Sequence, residues 1–439
     1  MFYYFFAVVN LHAQSLEAKM DSLVSDYARK TNFNGAVLVA QKGKVIFQKG
    51  YGYKDAEGKI PNDVNSIFQI GSITKQFTAA LIMQLAQEKK LSVKDKLSKY
   101  FPGYPNANKI TIEHLLTHTS GIYNYTNDTN LIKGDVTRHY NDQAMLSTFR
   151  DRPLDFEPGK GWNYSNSAYV LLGYIIKKVT KKPYEQVMHE RILGPLGMAQ
   201  SGFDFTHLTD QNKAKGYFSL TPNQILPAPV VDSTISYSAG ALYSSVGDLA
   251  KWDRAIYTSK VLTPSSWKAT FTPFKNKYGY GWGIDTLYGK IKTAHSGGIH
   301  GFSSYIMRIP QDELLVVALS NSSSNVGKLS KGLAAVFYGK AYDQLKINDE
   351  IKLDSSQLRK YIGKYALSPD FSITISSKGS QMIAQATGQG AAEIFPLKEN
   401  FFFYKIVDAQ IEFEQDANGK IKSLTLHQNG MKMRGDKVE

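Results

Sequence analysis

The 439-residue sequence contains no cysteine. That absence excludes disulfides, a thiol nucleophile, and zinc or iron–sulfur centres ligated by cysteine. Long hydrophobic runs are missing as well: no stretch after the first residues approaches the roughly 18 consecutive apolar positions that a transmembrane helix needs. Phosphate and dinucleotide motifs fail in turn. Gly52 to Gly58-Lys59 has the wrong spacing for G-x-x-x-x-G-K-[ST] and ends in Ile60. Gly279-Tyr280-Gly281-Trp282-Gly283 supplies glycines without the helix pattern a dinucleotide site requires. The G-x-S-x-G elbow is not met either, because Ala294-His295-Ser296-Gly297-Gly298 lacks its first glycine. The chemistry left to the chain uses Ser, Thr, Lys, His, Tyr or carboxylates, and no cofactor is expected.

What is present is an ordinary core-forming composition, 42% hydrophobic and 21% charged. Lys and Arg number 52 against 38 Asp and Glu, so the formal net charge is +14. This excess is dispersed in pairs such as Lys89-Lys90, Lys177-Lys178 and Lys181-Lys182, placed where helix ends favour lysine. Nucleic-acid binding would need a basic stripe interleaved with aromatics, and none is seen. The basic surface is read as solvated, with at most loose attraction to anionic envelope polymers. Met1-Phe2-Tyr3-Tyr4-Phe5-Phe6-Ala7-Val8-Val9 is apolar but too short to span a bilayer. We read residues 1–14 as a signal peptide, although no Lys or Arg precedes the apolar run; an N-terminal core strand is the alternative. A periplasmic or secreted protein without a membrane span is expected.

A hairpin is expected to open the folded part, with Ala36–Ala40 and Val45–Lys49 flanking Gln41-Lys42-Gly43-Lys44. From about 73 to 235 the pattern is mostly helical. Phe77, Leu81 and Leu85 share one helix face, as do Leu172, Ile176 and Val179. Strands return at Ser303–Ile309 and Leu314–Leu319, followed by a helix near 326–343. Strands early and late with helices between predict one sheet built from both ends, and a cleft beside an inserted helical subdomain. The fold class expected is α+β: an antiparallel sheet flanked by helices over 15–345, then a small all-β domain over 352–439. In that domain Phe371–Ile375, Ile411–Phe413 and Leu424–Leu426 alternate, and Asp416-Ala417-Asn418-Gly419 makes a turn.

Three segments carry chemistry. Ser72-Ile73-Thr74-Lys75 places a lysine at i+3 from a serine at a helix start, on the same face. The helix dipole and burial disfavour the ammonium there, so Lys75 can accept a proton, while free N–H groups can hold an oxyanion. The bland reading is a capping serine and a solvated lysine. Tyr164-Ser165-Asn166 follows a turn-rich loop and precedes a helix. A tyrosine beside an ammonium is expected to have a lowered pKa and to act as base or proton shuttle, and Asn166 can bond a substrate amide. Otherwise the loop is simply a helix cap. His295-Ser296-Gly297-Gly298 ends a short strand, Lys292-Thr293-Ala294, where small residues allow close approach of a ligand backbone; a bulge beside a structural histidine is the alternative. His114 and His118 lie four apart on an expected helix, but Glu113 precedes the pair and no third ligand is near, so no metal is expected.

In this order the segments resemble the signatures S-x-x-K, Y-x-N and K-T-G or H-x-G of the penicillin-recognising serine hydrolases. That family includes class C β-lactamases, DD-carboxypeptidases and related esterases. Leu115-Leu116-Thr117-His118-Thr119-Ser120-Gly121, Pro195-Leu196-Gly197-Met198 and Ser238–Ser245 look similar to the family too, so the resemblance covers about residues 20–340. The β domain is similar to lipocalin-like domains that follow this module. The resemblance implies that Ser72 attacks an acyl carbonyl, that Lys75 and Tyr164 move its proton, and that Asn166 and the His295–Gly298 strand bind substrate. It also implies an oxyanion hole at the N–H groups of Ser72 and Gly298. Efficient β-lactamases carry Lys where His295 stands, so peptide or ester hydrolysis ranks above β-lactam hydrolysis. A non-catalytic penicillin-binding or sensor protein is the alternative of another class. Loops in 120–160 and 200–235 are expected to set specificity.

Overall fold

The computed structural model describes residues 15–438 except 129, 132–133, 223, 343–350, 352, 369–370, 380, 388–390, 405–408 and 429–430. The signal segment read at 1–14 and the polar stretch 348–350 lie outside the described residues.

The first element is a helix rather than the expected hairpin: α1, Leu16–Thr31, with Ser15 capping it by accepting from the Ala18 N–H at 3.1 Å. Its apolar positions Met20, Leu23, Val24 and Tyr27 recur at helical spacing and are buried. Strands β1 (Gly35–Gln41) and β2 (Lys44–Tyr51) follow, then the helices α2 (Thr74–Gln87), α3 (Asn166–Thr180), α4 (Ser233–Gly240) and α5 (Val246–Tyr257). The chain then adds β3 (Gly283–Leu287), β4 (Lys290–Ile299), β5 (Phe302–Ile309), β6 (Leu314–Ser320) and α6 (Val326–Phe337).

These six strands form one antiparallel sheet in the order β2-β1-β6-β5-β4-β3. Its centre joins the two ends of the module, with Gly35 opposite Ser320 and Gln41 opposite Leu314. Both faces are covered, which explains why β6 is apolar from Leu314 to Leu319 and buried at every position. Val37, Val39 and Val316 pack with Met20 of α1 and Leu333 of α6, while Ala36, Leu38 and Val317 join Phe77 and Trp252 on the opposite, helical side.

Strand β4 extends well past the expected end at Ala294. It runs unbroken beside β5 from Thr293↔Arg308 to Ile299↔Phe302, whereas its ladder with β3 stops at Ala294↔Gly283. From His295 onward, therefore, no strand pairs with its outer edge among the described residues. His295 lies within a regular strand, not beside a bulge.

Residues from Gly363 to Lys437 form a closed eight-stranded antiparallel barrel, its first strand pairing with its last at Tyr365↔Lys437. Tyr361, Tyr365, Ile373, Phe402, Phe413 and Leu424 fill it. The turn expected at Asp416–Gly419 joins two of its strands; the Asp416 carboxylate accepts from the Asn418 and Lys420 N–H groups. No helix among the described residues is long and apolar enough to cross a membrane.

Candidate active site

Ser72 lies in a single 3-10 turn, Gly71–Ile73, that leads directly into α2. The Thr74 hydroxyl pins this turn by donating to the Gly71 carbonyl at 2.7 Å and accepting from the Leu242 N–H at 3.1 Å. Strand β4 crosses close by, and two glycines make that possible. Gly71 has φ +50°, and a Cβ there would come within 2.8 Å of the Gly298 nitrogen. A Cβ on Gly297 would sit 2.0 Å from the Ile70 carbonyl oxygen. Gly297 thus serves the seating of β4 against the serine turn, which the Ser304 hydroxyl reinforces by donating to Ile70 at 2.7 Å.

Lys75 is 0% exposed, and its Nζ lies 3.0 Å from Ser72 Oγ, 2.7 Å from Asn166 Oδ1 and 2.8 Å from the Ala239 carbonyl oxygen. Burial drives its pKa well below 10.5. A neutral amine has two N–H donors and one lone pair. The two carbonyl-type oxygens can only accept, so they take the donors, and the lone pair faces the Ser72 hydroxyl. That is the arrangement of a general base.

Tyr164 departs from expectation. Its ring lies 4.8 Å from Lys75 Nζ, yet burial pushes the phenol pKa far above 10, and a hydrogen bond with Ser72 offsets this only in part. Lys75 and Tyr164 are moved in opposite directions, one towards free amine and the other towards intact phenol, as a base and an acid working together would need.

Asn166 begins α3, with Ser165 as its cap accepting from Ala168 N–H at 3.2 Å. Its amide is already engaged: Oδ1 accepts from Lys75, and Nδ2 donates to Asn124 Oδ1 at 3.3 Å and Thr126 Oγ1 at 3.1 Å. It orients the lysine while also lining the cleft.

His295 is 8% exposed, and both ring nitrogens have partners inside the protein. Nδ1–H donates to the Ser296 carbonyl at 2.6 Å, which leaves Nε2 to accept from the Tyr278 hydroxyl at 2.8 Å. Burial and the neighbouring Lys75 lower its pKa from 6.5 to about 4. At neutral pH it offers no cation. Ser296 and Gly298, by contrast, are exposed beside the nucleophile.

Two cavities lie beside the site, and Ser72 lines one of them. One, of about 430 Å³, includes Asn166, Gly298, Val231 and Ile235 together with Ser72; the other, of about 380 Å³, includes Tyr164, His295, Ser296, Lys277 and Lys292.

The paired histidines are not on one helix face. That helix ends at Leu116; His114 Nδ1 accepts from the Thr111 N–H, and His118 follows in the left-handed region at φ +59°. His118 is buried against Tyr164, Tyr169 and Tyr278, with ring centroids 4.3, 5.1 and 4.7 Å away. The Ala239 carbonyl, Asn124, Thr126 and Tyr278 carry no sequence signal of their own. Ala239 sits in the family-like stretch Ser238–Ser245, but a backbone oxygen leaves no mark in residue identity.

The Beta-lactamase family profile matches residues 20–338, and a domain of unknown function (DUF3471) matches residues 348–437. Penicillin-binding protein 4* of Bacillus subtilis (strain 168) is 27% identical, across 95% of this chain and 98% of that protein. The octameric penicillin-binding protein homologue from Pyrococcus abyssi is 26% identical with a TM-score of 0.67, covering 95% of this chain and 99% of that one. A D-stereospecific amidohydrolase from Streptomyces sp. is 27% identical with a TM-score of 0.63, covering 74% and 99%. A serine, an amine-bearing lysine and a phenol at the crossing of turn and strand, together with a profile spanning most of the chain, show that this protein belongs to the Beta-lactamase family and is a serine hydrolase.

Proposed function

We propose that the chain hydrolyses amides or esters through an acyl-enzyme, as a DD-peptidase-, D-amino-acid-amidase- or esterase-like enzyme. The observation that carries this reading is the Lys75 amine, both of whose donors are consumed by Asn166 and Ala239 so that its lone pair meets Ser72. Ser72 Oγ gives its proton to Lys75 and bonds the acyl carbon. The N–H groups of Ser72 and Gly298 would hold the oxyanion. Collapse breaks the bond to the leaving group, which takes a proton from Tyr164, and the proton on Lys75 restores the phenol. Water then attacks the ester and frees Ser72.

The neutral, internally satisfied His295 supports amides and esters over substrates that need a fixed cation for a carboxylate. The names of the relatives, a penicillin-binding protein and a D-stereospecific amidohydrolase, favour the same classes.

Ser72→Ala should lose labelling by a fluorophosphonate probe and turnover of every substrate; labelling retained in Ser72→Ala overturns the assignment. A panel of D-Ala-D-Ala peptide, p-nitrophenyl ester, D-amino-acid amide and nitrocefin then ranks the substrates. Nitrocefin turnover near about 10 s⁻¹ would make β-lactam hydrolysis the better reading. Acylation without release would instead mark a sensor.

A further inference from the structure

We propose that His118 is a positioning residue for Tyr164, holding the phenol where it can protonate the leaving group. The proposal rests on the reading of Tyr164 as proton donor.

The histidine grips the chain on both sides of that tyrosine. Its carbonyl oxygen accepts from the Asn163 N–H at 3.1 Å, and its Nδ1 accepts from the Ser165 N–H at 3.1 Å. Between these two anchors the imidazole lies against the Tyr164 ring, centroids 4.3 Å apart and planes 38° apart. Backbone, side chain and ring therefore fix residues 163, 164 and 165 from one position. The grip continues upstream, where Gly159 N–H donates to the Thr119 carbonyl at 2.8 Å and Asp155 N–H to that of Gly121 at 2.7 Å. The whole loop that delivers the phenol is stitched to the 118–121 turn.

The left-handed backbone of His118, φ +59°, turns its carbonyl and its ring towards the same neighbouring segment. A left-handed backbone is adopted by Asn, Asp and Gly as well, so the conformation alone does not call for histidine. Because Nδ1 accepts, the ring proton sits on Nε2, which is buried and has no hydrogen-bond partner. Leaving an N–H unpaired is unfavourable for a side chain that merely fills space, and an apolar ring would avoid it. What histidine adds is the acceptor at Nδ1. Burial keeps that nitrogen free of a second proton by pushing the pKa well below 6.5.

The test compares two leaving groups. An amide must have its departing nitrogen protonated, whereas p-nitrophenolate leaves unaided. His118→Phe keeps a ring and removes the acceptor; His118→Asn keeps an oxygen near the Nδ1 position and tolerates the left-handed backbone. Rates of the fastest amide from the substrate panel and of p-nitrophenyl ester are measured per fluorophosphonate-labelled site, which removes any unfolded fraction. We expect His118→Phe to lower kcat for the amide about 10–100-fold while ester kcat and both KM values change less than about 3-fold. His118→Asn should return the amide rate to within about 3-fold of the parent. Equal losses on both substrates, or no recovery with Asn, overturn the proposal. Tyr164→Phe is the reference: if it too spares the amide, the reading of Tyr164 falls and the proposal with it. An amide-selective loss in Tyr164→Phe with a uniform loss in His118→Phe overturns the clamp alone.

Discussion

The catalytic module and the C-terminal barrel bury polar groups in different ways. In the barrel, Tyr361 donates to Asn400 at 2.9 Å, Tyr365 to the Tyr361 carbonyl at 2.7 Å and Ser423 to Glu414 at 2.9 Å. Among the described residues, the buried side-chain nitrogens and oxygens without a partner all belong to the catalytic module. Several stand around the cleft: His118 Nε2, Trp162 Nε1, Ser236 Oγ and Thr293 Oγ1. Alongside them burial pushes the Lys75 pKa down and the Tyr164 pKa up. A fold selected only to be stable satisfies its polar atoms, as the barrel does. A site that must present a base and an acid in one dry place tolerates unpaired groups and shifted pKa values.

This contrast predicts a hierarchy in the reactivity of Ser72. The largest effect belongs to Lys75→Met, which should lower fluorophosphonate labelling about 10²–10⁴-fold. The parent's labelling should fall as pH drops through the depressed pKa of Lys75, because the ammonium cannot accept the serine proton; the variant should lack that limb. Stability follows the same sign. Unfolded Lys75 binds a proton below 10.5 that the folded amine refuses, so the parent loses stability as pH falls from 10.5 towards the folded pKa. Lys75→Met should show a shallower loss when thermal midpoints are followed across that range.

Next comes the glycine pair on β4. Gly297→Ala drives a Cβ into the Ile70 carbonyl and should cost about 1–3 kcal/mol in denaturant unfolding and about 10-fold in labelling. Gly298→Ala, whose Cβ meets nothing within 4 Å, should leave unfolding unchanged. Equal penalties for both would mean that β4 is not seated by Gly297.

The smallest effect on Ser72 should come from the barrel. Phe413 packs on Tyr361, Tyr365 and Phe402, and Phe413→Ala should destabilise the barrel by about 3–5 kcal/mol. Labelling of Ser72 should nevertheless stay within about 2-fold of the parent. A larger loss would show that the two regions are coupled and blunt the comparison.

The architecture was largely legible in the pattern. β1, β2, β5, β6, α2 and α3 fall where apolar spacing puts them, and so does the sheet assembled from both ends. α1 escaped notice because its four buried positions are scattered among nine charged, serine or threonine residues. The end of β4 was misplaced because Ser296-Gly297-Gly298 has low strand propensity; pairing with β5 overrides it. In the site, Ser72 and Lys75 lie one helical turn apart, so their proximity follows from local geometry. Tyr164 stands beside them as expected and was misjudged in its titration, since burial, which spacing along the chain does not show, raises its pKa.

The sequence alone determined an oxygen nucleophile in a chain without cysteine, the i, i+3 pairing of serine with lysine, and the division into a mixed module and a β domain. These are properties of residue identity and short-range periodicity. Tertiary structure decided what those residues can do. It brought the Ala239 carbonyl and Asn166 to consume the lysine's donors, closed Tyr278 onto His295, and set His118 beneath Tyr164. Each of these depends on desolvation and on partners distant in sequence, and neither quantity can be read from spacing along the chain.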